Sequence, residues 1–416
     1  MTKKISVGII GFGGRGTAMA KAITAFSDKI YVTAVAEPEE NRRRTAIEEY
    51  GVPAENVFAD YNEFLAKGVL ADLLIVTTMD TMHYEPTMMA LETGYKCILL
   101  EKPISPNLEE CINLTKKAEE KDAKIVILHS LRYNLYYRKM KEIIERGEIG
   151  EVMGVRHVEG ASVMNYSHSF VRGNFANTKR SAPFIMQKSC HDTDILSYVT
   201  GLKYKKLSAF GSLGYFNETN APEGCADRCS DCKYKDECRF SGYLIYPHPY
   251  HVSWYSSAVT LHGYSSLEEA MEKGEYGRCV FKCDNDVMDH QSINFELENG
   301  ATGTFSLTAF DFGRRTEIQG TECLMRCVEK TGIIEIYNQI PGDLVKTYDI
   351  KSESTTTLDH YDTDVQLVVD LIAFINEGDA TNLSFIEGAL HSHLACFAAE
   401  ISRKEERVVY ISELAK

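Results

Sequence analysis

The sequence has no long hydrophobic run and no excess of positive charge. Its apolar stretches fall short of the roughly 18 residues that a membrane-spanning helix needs. Over 416 residues, 45 Lys and Arg stand against 60 Asp and Glu, for a net charge of −15. A nucleic-acid-binding surface needs a basic excess, and the densest basic run, residues 42–44, is typical of a solvated helix face. We therefore expect neither a membrane nor a nucleic acid as partner.

The sequence also lacks a segment typical of a secretory signal. The opening residues, MTKKISVGIIGFG, contain an apolar run of only about six residues, which ends in glycines. Cytoplasm is the expected compartment. In that reducing environment, the 12 cysteines are expected to be buried small side chains or metal ligands. There is no internal repeat, and a hydrophobic content of 44% is sufficient for sizeable cores.

The first 130 residues alternate short β-branched runs with helical patterns. Strands are predicted at 5–10, 30–37, near 57, and at 72–78, 96–101 and 124–129. Helices are predicted between them, directly after the first strand and at 39–50, 61–67, 84–93 and 107–121. Strands buried on both faces and joined by helices predict a parallel, doubly wound sheet.

The turn after the first strand is rich in glycine. Gly11, Gly13 and Gly16 have the spacing G-x-G-x-x-G, in which glycine permits a tight turn and close approach of a pyrophosphate to a helix N-terminus; Gly14 and Arg15 belong to the same turn. Glu37 ends the second strand, where a carboxylate would bind both ribose hydroxyls and repel a 2′-phosphate. The pattern predicts NAD; the arginines at 42–44 leave NADP open.

Further polar residues follow the later strands, at the edge where such sheets bind ligands. A lysine at a strand end is ordinarily a solvated loop residue. Lys102, however, lies between a carboxylate and a proline and is a candidate for a fixed ammonium near the nicotinamide. The cofactor contacts expected at this edge are Thr77, Thr78, His83, Glu101 and Lys102.

These features together resemble the Gfo/Idh/MocA family of NAD(P)-dependent sugar and polyol oxidoreductases. The resemblance lies in GIIGFGGRG near the N-terminus, EKPIS at 101–105, LRYNLYYRKMKEIIERGEIGEV from 131, the His-x-x-Asp of residues 191–194 and ALHSHLACFAAEISRKEERVV at 389–409. It implies a Rossmann domain over 1–130 and an α+β domain over 131–416. The second domain would have a large, mostly antiparallel sheet with substrate on one face and often a subunit contact on the other, in a homodimer or homotetramer.

The resemblance also implies roles for single residues. Lys102 matches the lysine of the EKP element, and His191 matches the histidine near the reacting hydroxyl. The family often has an acidic residue four positions before that histidine, whereas this chain has Gln187; Lys188 is a possible substitute for the missing polar partner.

The segment MQKSCHDTDIL, residues 186–196, is predicted to be helical after Pro183. Lys188, His191 and Asp194 are three apart and share a face. Cys190 points elsewhere and cannot pair with His191 as a nucleophile, so a buried thiol is expected. A metal held by His191 and an aspartate lacks a second histidine at ligand spacing.

The remaining interpretation of this helix is that its side chains carry out acid–base chemistry beside a nicotinamide. We expect His191 to be the general base and Lys102 the group that stabilises the alkoxide or transfers the proton instead. Lys188 and Asp194 are expected to be positioning residues, with Asp194 orienting His191 or capping structure. In the preceding segment 165–175, a probable loop, His168, Arg172 and Asn174 are candidate substrate ligands together with Lys188. Arg172 could hold a carboxylate bidentately, although a solvated loop is the ordinary alternative.

Four cysteines within an insertion at about 215–260 form the sharpest local signal. Cys225, Cys229, Cys232 and Cys238 are interleaved with charged residues, a pattern that does not fit a core. We expect the four cysteines to bind a zinc ion. An iron–sulfur cluster is the second possibility, and free or disulfide-linked thiols are the third. The Tyr- and His-rich stretch at 241–257 is either a lid over a sugar or a subunit contact. Cys279 and Cys283 are expected on a strand, as are Cys323 and Cys327, each pair explained by burial.

Three functions agree with this pattern. The first is an NAD-dependent dehydrogenase that oxidises a secondary hydroxyl of a sugar, polyol or sugar derivative. The second is an NAD-dependent glycosidase that oxidises, eliminates, hydrates and reduces again, with no net NADH. The third is a non-enzymatic NAD sensor, in which Lys102 and His191 would have no catalytic role.

Overall fold

Residues 4–247, 264–353 and 360–415 are described by the structure, a computed structural model. Most of the aromatic stretch expected to form a lid or subunit contact lies at 248–257, outside the described residues. No helix in the described part of the chain is long and apolar enough to cross a membrane.

The N-terminal sheet has six parallel strands in the order β3-β2-β1-β4-β5-β6. The strands are β1 (Ile5–Ile10), β2 (Ile30–Ala36), β3 (Val57–Phe58), β4 (Leu73–Val76), β5 (Cys97–Leu100) and β6 (Lys124–Ile127). The helices between them are α1 (Gly14–Thr24), α2 (Glu40–Glu48), α3 (Tyr61–Ala66), α4 (Tyr84–Thr93) and α5 (Leu108–Glu120). The predicted doubly wound sheet is confirmed.

Apolar side chains cover both faces of this sheet, as continuous hydrophobic strands require. On one face, Val7 and Ile9 of β1 pack in a cluster that includes Met19 of α1. On the other, Ile10 and Leu74 pack in a cluster that includes Leu114 of α5. The sheet is therefore the middle layer of three. The loops at the ends of its strands are not covered by these helices, and ligands of such sheets bind there.

The second sheet has nine strands in the order β14-β13-β12-β11-β7-β10-β9-β8-β15. Every neighbouring pair is antiparallel except β7 and β10, so the predicted mostly antiparallel sheet is confirmed. The strands are β7 (Val152–Ala161), β8 (Tyr204–Ser212), β9 (His290–Leu297), β10 (Thr302–Thr308), β11 (Phe312–Gly320), β12 (Cys323–Val328), β13 (Ile333–Asn338), β14 (Leu344–Asp349) and β15 (Val409–Tyr410).

The helices of the second half begin with α6 (Leu135–Glu145), α7 (Val163–Tyr166) and α8 (Phe184–Thr200). Short helices α9 (Gly242–Ile245), α10 (Leu267–Lys273) and α11 (Ile350–Glu353) follow, and then the long helices α12 (His360–Glu377) and α13 (Ile386–Glu405). Side chains of α6, α8 and α13 form one core with the nine-stranded sheet, as shown by Met140, Ile195 and Leu394 beside Phe305.

The C-terminal part of the chain returns to the N-terminal sheet. Leu367, Val368 and Leu371 of α12 belong to the same apolar cluster as Val7 and Ile9 of β1. A division at about residue 130 therefore separates the chain less cleanly than expected, because part of the core of the Rossmann sheet comes from residues after 360. The predicted domain limits stay a prediction.

Residues 165–175, predicted to be a loop, are mainly helical. Helix α7 continues into one turn of π-helix at Ser167–Arg172. Tyr166 packs edge-on against Phe184, with ring centroids 5.0 Å apart, and Phe170 packs against the same ring at 4.6 Å. These contacts with α8 stabilise a helical turn that the local mixture of polar residues does not indicate.

Candidate active site

The glycine-rich turn is shaped by two close approaches. Gly11 has φ +89°, and a Cβ there would lie 2.8 Å from the carbonyl carbon of Thr77. A Cβ on Gly16 would lie 2.2 Å from the Gly11 oxygen. Only glycine fits both positions. Gly13 precedes α1 without a capping side chain, and no acidic residue lies in the first turn, so the amino end of α1 keeps N–H groups suited to a pyrophosphate.

Glu37 lies directly beside this turn. Its buried carboxylate accepts hydrogen bonds from the N–H of Phe12 at 2.7 Å and of Glu39 at 3.0 Å. The Nη1 of Arg42 is 3.5 Å from Oε1 of Glu37, while Arg43 donates to the Glu37 carbonyl oxygen at 2.8 Å. An acid is thus fixed next to the dinucleotide turn, with one arginine close to it.

Arg15 joins the turn to other parts of the chain. Its Nε donates to Glu101 at 3.1 Å, and its two terminal nitrogens donate to the carboxylate of Asp364 at 2.9 Å each. Asp364 belongs to α12. The Arg15 side chain therefore links the turn to β5 and α12, and its role as a direct cofactor contact stays a prediction.

The side chains at the end of β4 hold the loops of this edge in place. The hydroxyl of Thr77 donates to the Gly11 oxygen at 2.6 Å, and that of Thr78 donates to the Met82 oxygen at 2.9 Å. His83 is fully buried, with Nδ1 2.6 Å from the Pro103 oxygen and Nε2 3.2 Å from the Thr78 oxygen. An imidazole with one N–H can donate to only one of these two carbonyl oxygens. His83 is thus buried between the two loops, and its role as a cofactor contact stays a prediction.

Lys102 connects the two halves of the site. It follows β5 at a cis Lys102–Pro103 peptide, and its backbone N–H donates to Glu101. Its ammonium donates to the carbonyl oxygen of Gln187 in α8 at 2.9 Å. The fixed cation expected at this strand end is thus held against the helix that carries His191.

His191 is partly buried, and its Nδ1 has no hydrogen-bond partner among the described residues. Burial, followed by the positive charge of Lys102, lowers the pKa of His191 well below its ordinary value; His129, Arg314 and Lys188 act in the same direction. The imidazole is therefore neutral near pH 7, the protonation state that a general base requires.

Asp194 is not hydrogen-bonded to His191, contrary to the expectation that it orients that ring. It accepts two hydrogen bonds of 2.7 Å from Arg132, and its Oδ1 is 3.1 Å from Nδ1 of His129. The ring of His129 packs edge-on against that of His191, with centroids 5.8 Å apart. Asp194 therefore affects His191 only indirectly, by contacting His129, whose ring packs against that of His191. The reason is the half-buried Arg132, whose guanidinium binds both carboxylate oxygens.

A second buried network lies on the sheet side of α8. Asp192 accepts from Arg314 at 2.6 Å and lies 3.1 Å from Nε2 of His157. Glu159 lies 3.1 Å from the same arginine and 3.3 Å from the ammonium of Lys188. Lys188 is thus fixed beside the carboxylate of Glu159, three residues before His191 on the helix.

Comparison with known proteins agrees with this geometry. The family described as "Oxidoreductase family, NAD-binding Rossmann fold" matches residues 5–129, and the "GFO/IDH/MocA C-terminal domain" matches residues 137–326. The chain belongs to the Gfo/Idh/MocA family. Its residues 5–129 match the NAD-binding Rossmann fold of this family, as the sequence motifs indicated.

Individual relatives are distant. The Bacillus subtilis protein named "Putative oxidoreductase YteT" is 24% identical over 60% of this chain and 59% of its own length. Inositol 2-dehydrogenase of Corynebacterium glutamicum is 24% identical over 51% of this chain and 61% of its own length. The match thus spans about three fifths of these curated relatives. Scyllo-inositol dehydrogenase of Lactobacillus casei, solved with NAD(H) and scyllo-inositol, has the same fold, with TM-score 0.65, 18% identity and coverage of 99% of this chain and 100% of its own.

Two of the predicted substrate ligands face the insertion of this Gfo/Idh/MocA protein instead of an open cleft. His168 is buried and stacks on Tyr276 with ring centroids 4.5 Å apart. Arg172 is buried, with Nε donating to the Arg278 oxygen at 2.7 Å and Nη2 to the Phe240 oxygen at 2.6 Å. The expectation that Arg172 binds a substrate carboxylate is therefore not supported. Asn174 is exposed.

The four cysteines of the insertion line a single cavity. The sequence offers them as a motif, and the structure adds Cys279 to the same lining. Cys279 and Cys283 lie in an irregular segment before β9, not on a strand as expected. The prediction holds for Cys323 and Cys327, which both lie on β12.

Three residues of types that commonly bind metals lie close together beneath the active site. His129, Cys190 and His393 have donor atoms within 4.8 Å of one another. His393 is fully engaged, with Nδ1 2.8 Å from the Ala389 oxygen and Nε2 accepting the N–H of Ile104 at 3.0 Å. Burial raises the pKa of Cys190 well above its ordinary value. The group is therefore a packed core beneath His191, and Cys190 is the buried thiol that was predicted.

Several residues of the site had no predicted role. The most important are His129, Arg132, His157, Glu159 and Arg314. A signal was present in β7, where His157 and Glu159 are two apart in a strand and so share a face. Polar residues on the core-facing side of a strand indicate a buried network.

Proposed function

We propose that this protein transfers hydride between a secondary hydroxyl of a sugar, polyol or sugar derivative and the nicotinamide of NAD. The observation that carries the proposal is the contact between Lys102 and α8. It places a cation from the dinucleotide-binding half against the helix of His191, a neutral base. Removing a hydroxyl proton while hydride leaves the same carbon needs such a pair.

In this mechanism, bound NAD supplies the hydride acceptor. His191 takes the proton of the substrate hydroxyl, and the ammonium of Lys102 stabilises the negative charge that develops on that oxygen. Lys188, held by Glu159, positions another substrate hydroxyl. Asp194 and His129 keep the packing behind His191 fixed.

We propose NAD rather than NADP as the preferred cofactor. The buried carboxylate of Glu37 beside the Phe12 N–H is suited to ribose hydroxyls and disfavours a 2′-phosphate. Arg42 is paired with that carboxylate, which reduces its capacity to attract a phosphate.

We propose a cyclic polyol or a sugar as substrate. The support is the neutral base, the fixed ammonium and the Lys188–Glu159 pair, a set able to hold neighbouring hydroxyls. The inositol dehydrogenases among the relatives act on substrates of this chemistry.

We also propose that the protein is a cytoplasmic homodimer or homotetramer. The support is the broad second sheet, which exposes Arg156, Thr302 and Thr304 on strands β7 and β10. Size-exclusion chromatography with light scattering tests the assembly, and a monomer at micromolar concentration contradicts it.

The reaction is tested with NAD and a panel of inositols, free sugars, uronic acids and aryl glycosides. NADH absorbance and aglycone release are followed in the same wells. NADH formation on a free polyol or sugar, lost in His191→Ala, is the expected result. Aglycone release without NADH indicates a redox glycosidase, and silence in both channels with retained NAD binding indicates a sensor.

A further inference from the structure

The insertion brings five thiols around one cavity. Four belong to the motif, and the fifth, Cys279, comes from a separate segment more distant in the chain. We call this the thiol cavity; its lining includes Cys225, Cys229, Cys232, Cys238 and Cys279. Five thiols in one lining are more than the four that a tetrahedral ion requires.

Backbone pairing explains why Cys279 is there. The segment around Arg228 forms an antiparallel bridge with that around Arg278. The N–H of Cys229 donates to the Gly277 oxygen, and the N–H of Cys279 donates to the Asp227 oxygen, both at 2.8 Å. The side chain of Cys279 consequently lines the same cavity as that of Cys225.

A buried cation also lines the thiol cavity. Arg172 is 2% exposed, and its Nη1 has no hydrogen-bond partner among the described residues. Its Nη2 is 3.8 Å from the Cys229 sulfur. A buried guanidinium with an unused donor is costly unless negative charge lies nearby. Neutral thiols do not supply that charge, whereas thiolates bound to a metal do.

The size of the cavity favours one ion over a cluster. Its volume is about 30 Å³, enough for one ion or about one or two water molecules. Thiolate ligands select zinc among the common divalent metals that have no redox chemistry.

We propose that the thiol cavity is a structural zinc site in which Cys279 is a ligand together with cysteines of the motif, and Arg172 offsets the negative charge of the zinc–thiolate group. Four thiols ligate one Zn²⁺, and each releases its proton to solvent, so the centre carries a net charge of about −2. Among the described residues, no three of these cysteine sulfurs lie within 4.8 Å of one another. Binding of zinc would therefore draw the sulfur atoms closer together.

The site would tie three segments together. These are the motif, the stretch before β9 and the π-helical turn that ends at Arg172. Because this turn packs on α8, zinc would stiffen the insertion against the helix of the active site. The inference is independent of the proposed reaction.

The test measures metal directly. Full-length protein is purified from zinc-supplemented cells without chelator, and zinc and iron are measured by mass spectrometry. Cys279→Ser is compared with Cys283→Ser; the Cys283 thiol donates to the Cys279 oxygen at 3.2 Å and is absent from the cavity lining. Wild type and C283S should hold about one zinc per chain, and C279S should lose most of it.

Cobalt titration keeps the test valid if C279S folds poorly. Co²⁺ added to reduced, metal-free wild type should give the intense sulfur-to-cobalt absorption of a tetrathiolate site, and Arg172→Met should weaken Co²⁺ affinity by about 10- to 100-fold. Equal metal content in C279S and C283S overturns the role of Cys279. Wild type that binds neither Zn²⁺ nor Co²⁺, or that contains iron and sulfide, overturns the zinc site itself.

Discussion

At the scale of single residues, the charges of Lys102 and His191 are linked. Burial and then the nearby positive charge of Lys102 lower the pKa of the imidazole, so the imidazole is neutral near pH 7 beside that charge. This division gives the site a base and an electrostatic stabiliser without a proton shared between them.

Replacing His191 by Ala should lower kcat for alcohol oxidation by about 10²- to 10⁴-fold, the usual contribution of a general base. NAD affinity, measured by calorimetry, should change little, since the glycine-rich turn and Glu37 are untouched. His290→Ala is the control, because that half-exposed side chain lies on β9 and pairs with Asp289. Comparable losses in both variants would falsify the assignment.

The pH profile tests the same base. A pKa below the ordinary value places the acid limb of kcat/KM for oxidation below about pH 6.5. Lys188 contributes to the lowering, so Lys188→Met should raise the pKa of His191 and move the limb to higher pH. Lys205→Met, which removes an exposed partner of Glu296, should leave the limb in place. A limb that stays fixed in K188M argues for another titrating group.

Cofactor choice should depend on Glu37. Its carboxylate accepts a buried hydrogen bond and stands where the ribose is expected. Glu37→Ala should raise the Kd for NAD by about 10- to 100-fold, the loss of a charged hydrogen bond, and improve NADP relative to NAD because Arg42 is freed. Glu40→Ala, an exposed change on α2, is the control. Titration of both cofactors measures the ratio, and an unchanged ratio contradicts the proposed preference.

At the scale of elements, α8 carries two layers of function. One side presents Lys188 and His191. Asp192 and Asp194 lie to either side of these two residues, are buried, and pair with Arg314 of β11 and with Arg132, which precedes α6. Burial by itself would raise the pKa of Asp194, but Arg132 and His129 outweigh burial and hold that pKa below its ordinary range. The helix is thus fixed to the body by ion pairs on both sides of the face that carries Lys188 and His191.

Asp194→Asn should destabilise the fold by about 3–5 kcal/mol, because it leaves the buried part of Arg132 without a counter-charge. Urea unfolding at pH 7 measures the loss, with Asp379→Asn in an exposed loop as control. Since the folded pKa of Asp194 is depressed, its contribution is full above the unfolded value of about 4 and is lost as pH falls below it. The gap between wild type and D194N should therefore narrow below pH 4; a constant gap contradicts the ion-pair explanation.

The sequence predicted helices, strands and turns better than it predicted side-chain contacts between residues far apart in the chain. The start of α8 after Pro183 and the glycine turn follow from local patterns, and the structure confirms them. Arg132 and Arg314 reach α8 from residues on either side of it in the chain, and no spacing rule connects them. The same holds for Arg172, which was predicted to bind substrate. It instead donates to the carbonyl oxygens of residues 240 and 278, which become its neighbours only in the folded chain.

At the scale of the whole molecule, the two sheets do not divide the chain into two independent parts. Helix α12 contributes Leu367 and Leu371 to the N-terminal core, and its Asp364 holds Arg15 of the dinucleotide turn. Helix α13 packs on both halves, since Ala389 belongs to the N-terminal core and Ala395 to the C-terminal one. Residues after 360 therefore support the site where the cofactor is expected to bind.

Leu371→Ala tests this dependence. Leu371 is 1% exposed in the N-terminal core, and its truncation should cost about 2–5 kcal/mol in the free energy of unfolding. Val369→Ala, on the same helix but 39% exposed, should cost little. We expect one cooperative transition in both variants and weaker NAD binding in L371A alone, because the shift of α12 reaches the Arg15–Asp364 pair. If α12 were an accessory segment, L371A would instead show a separate early transition and unchanged NAD affinity, and the Rossmann half would be an independent folding unit.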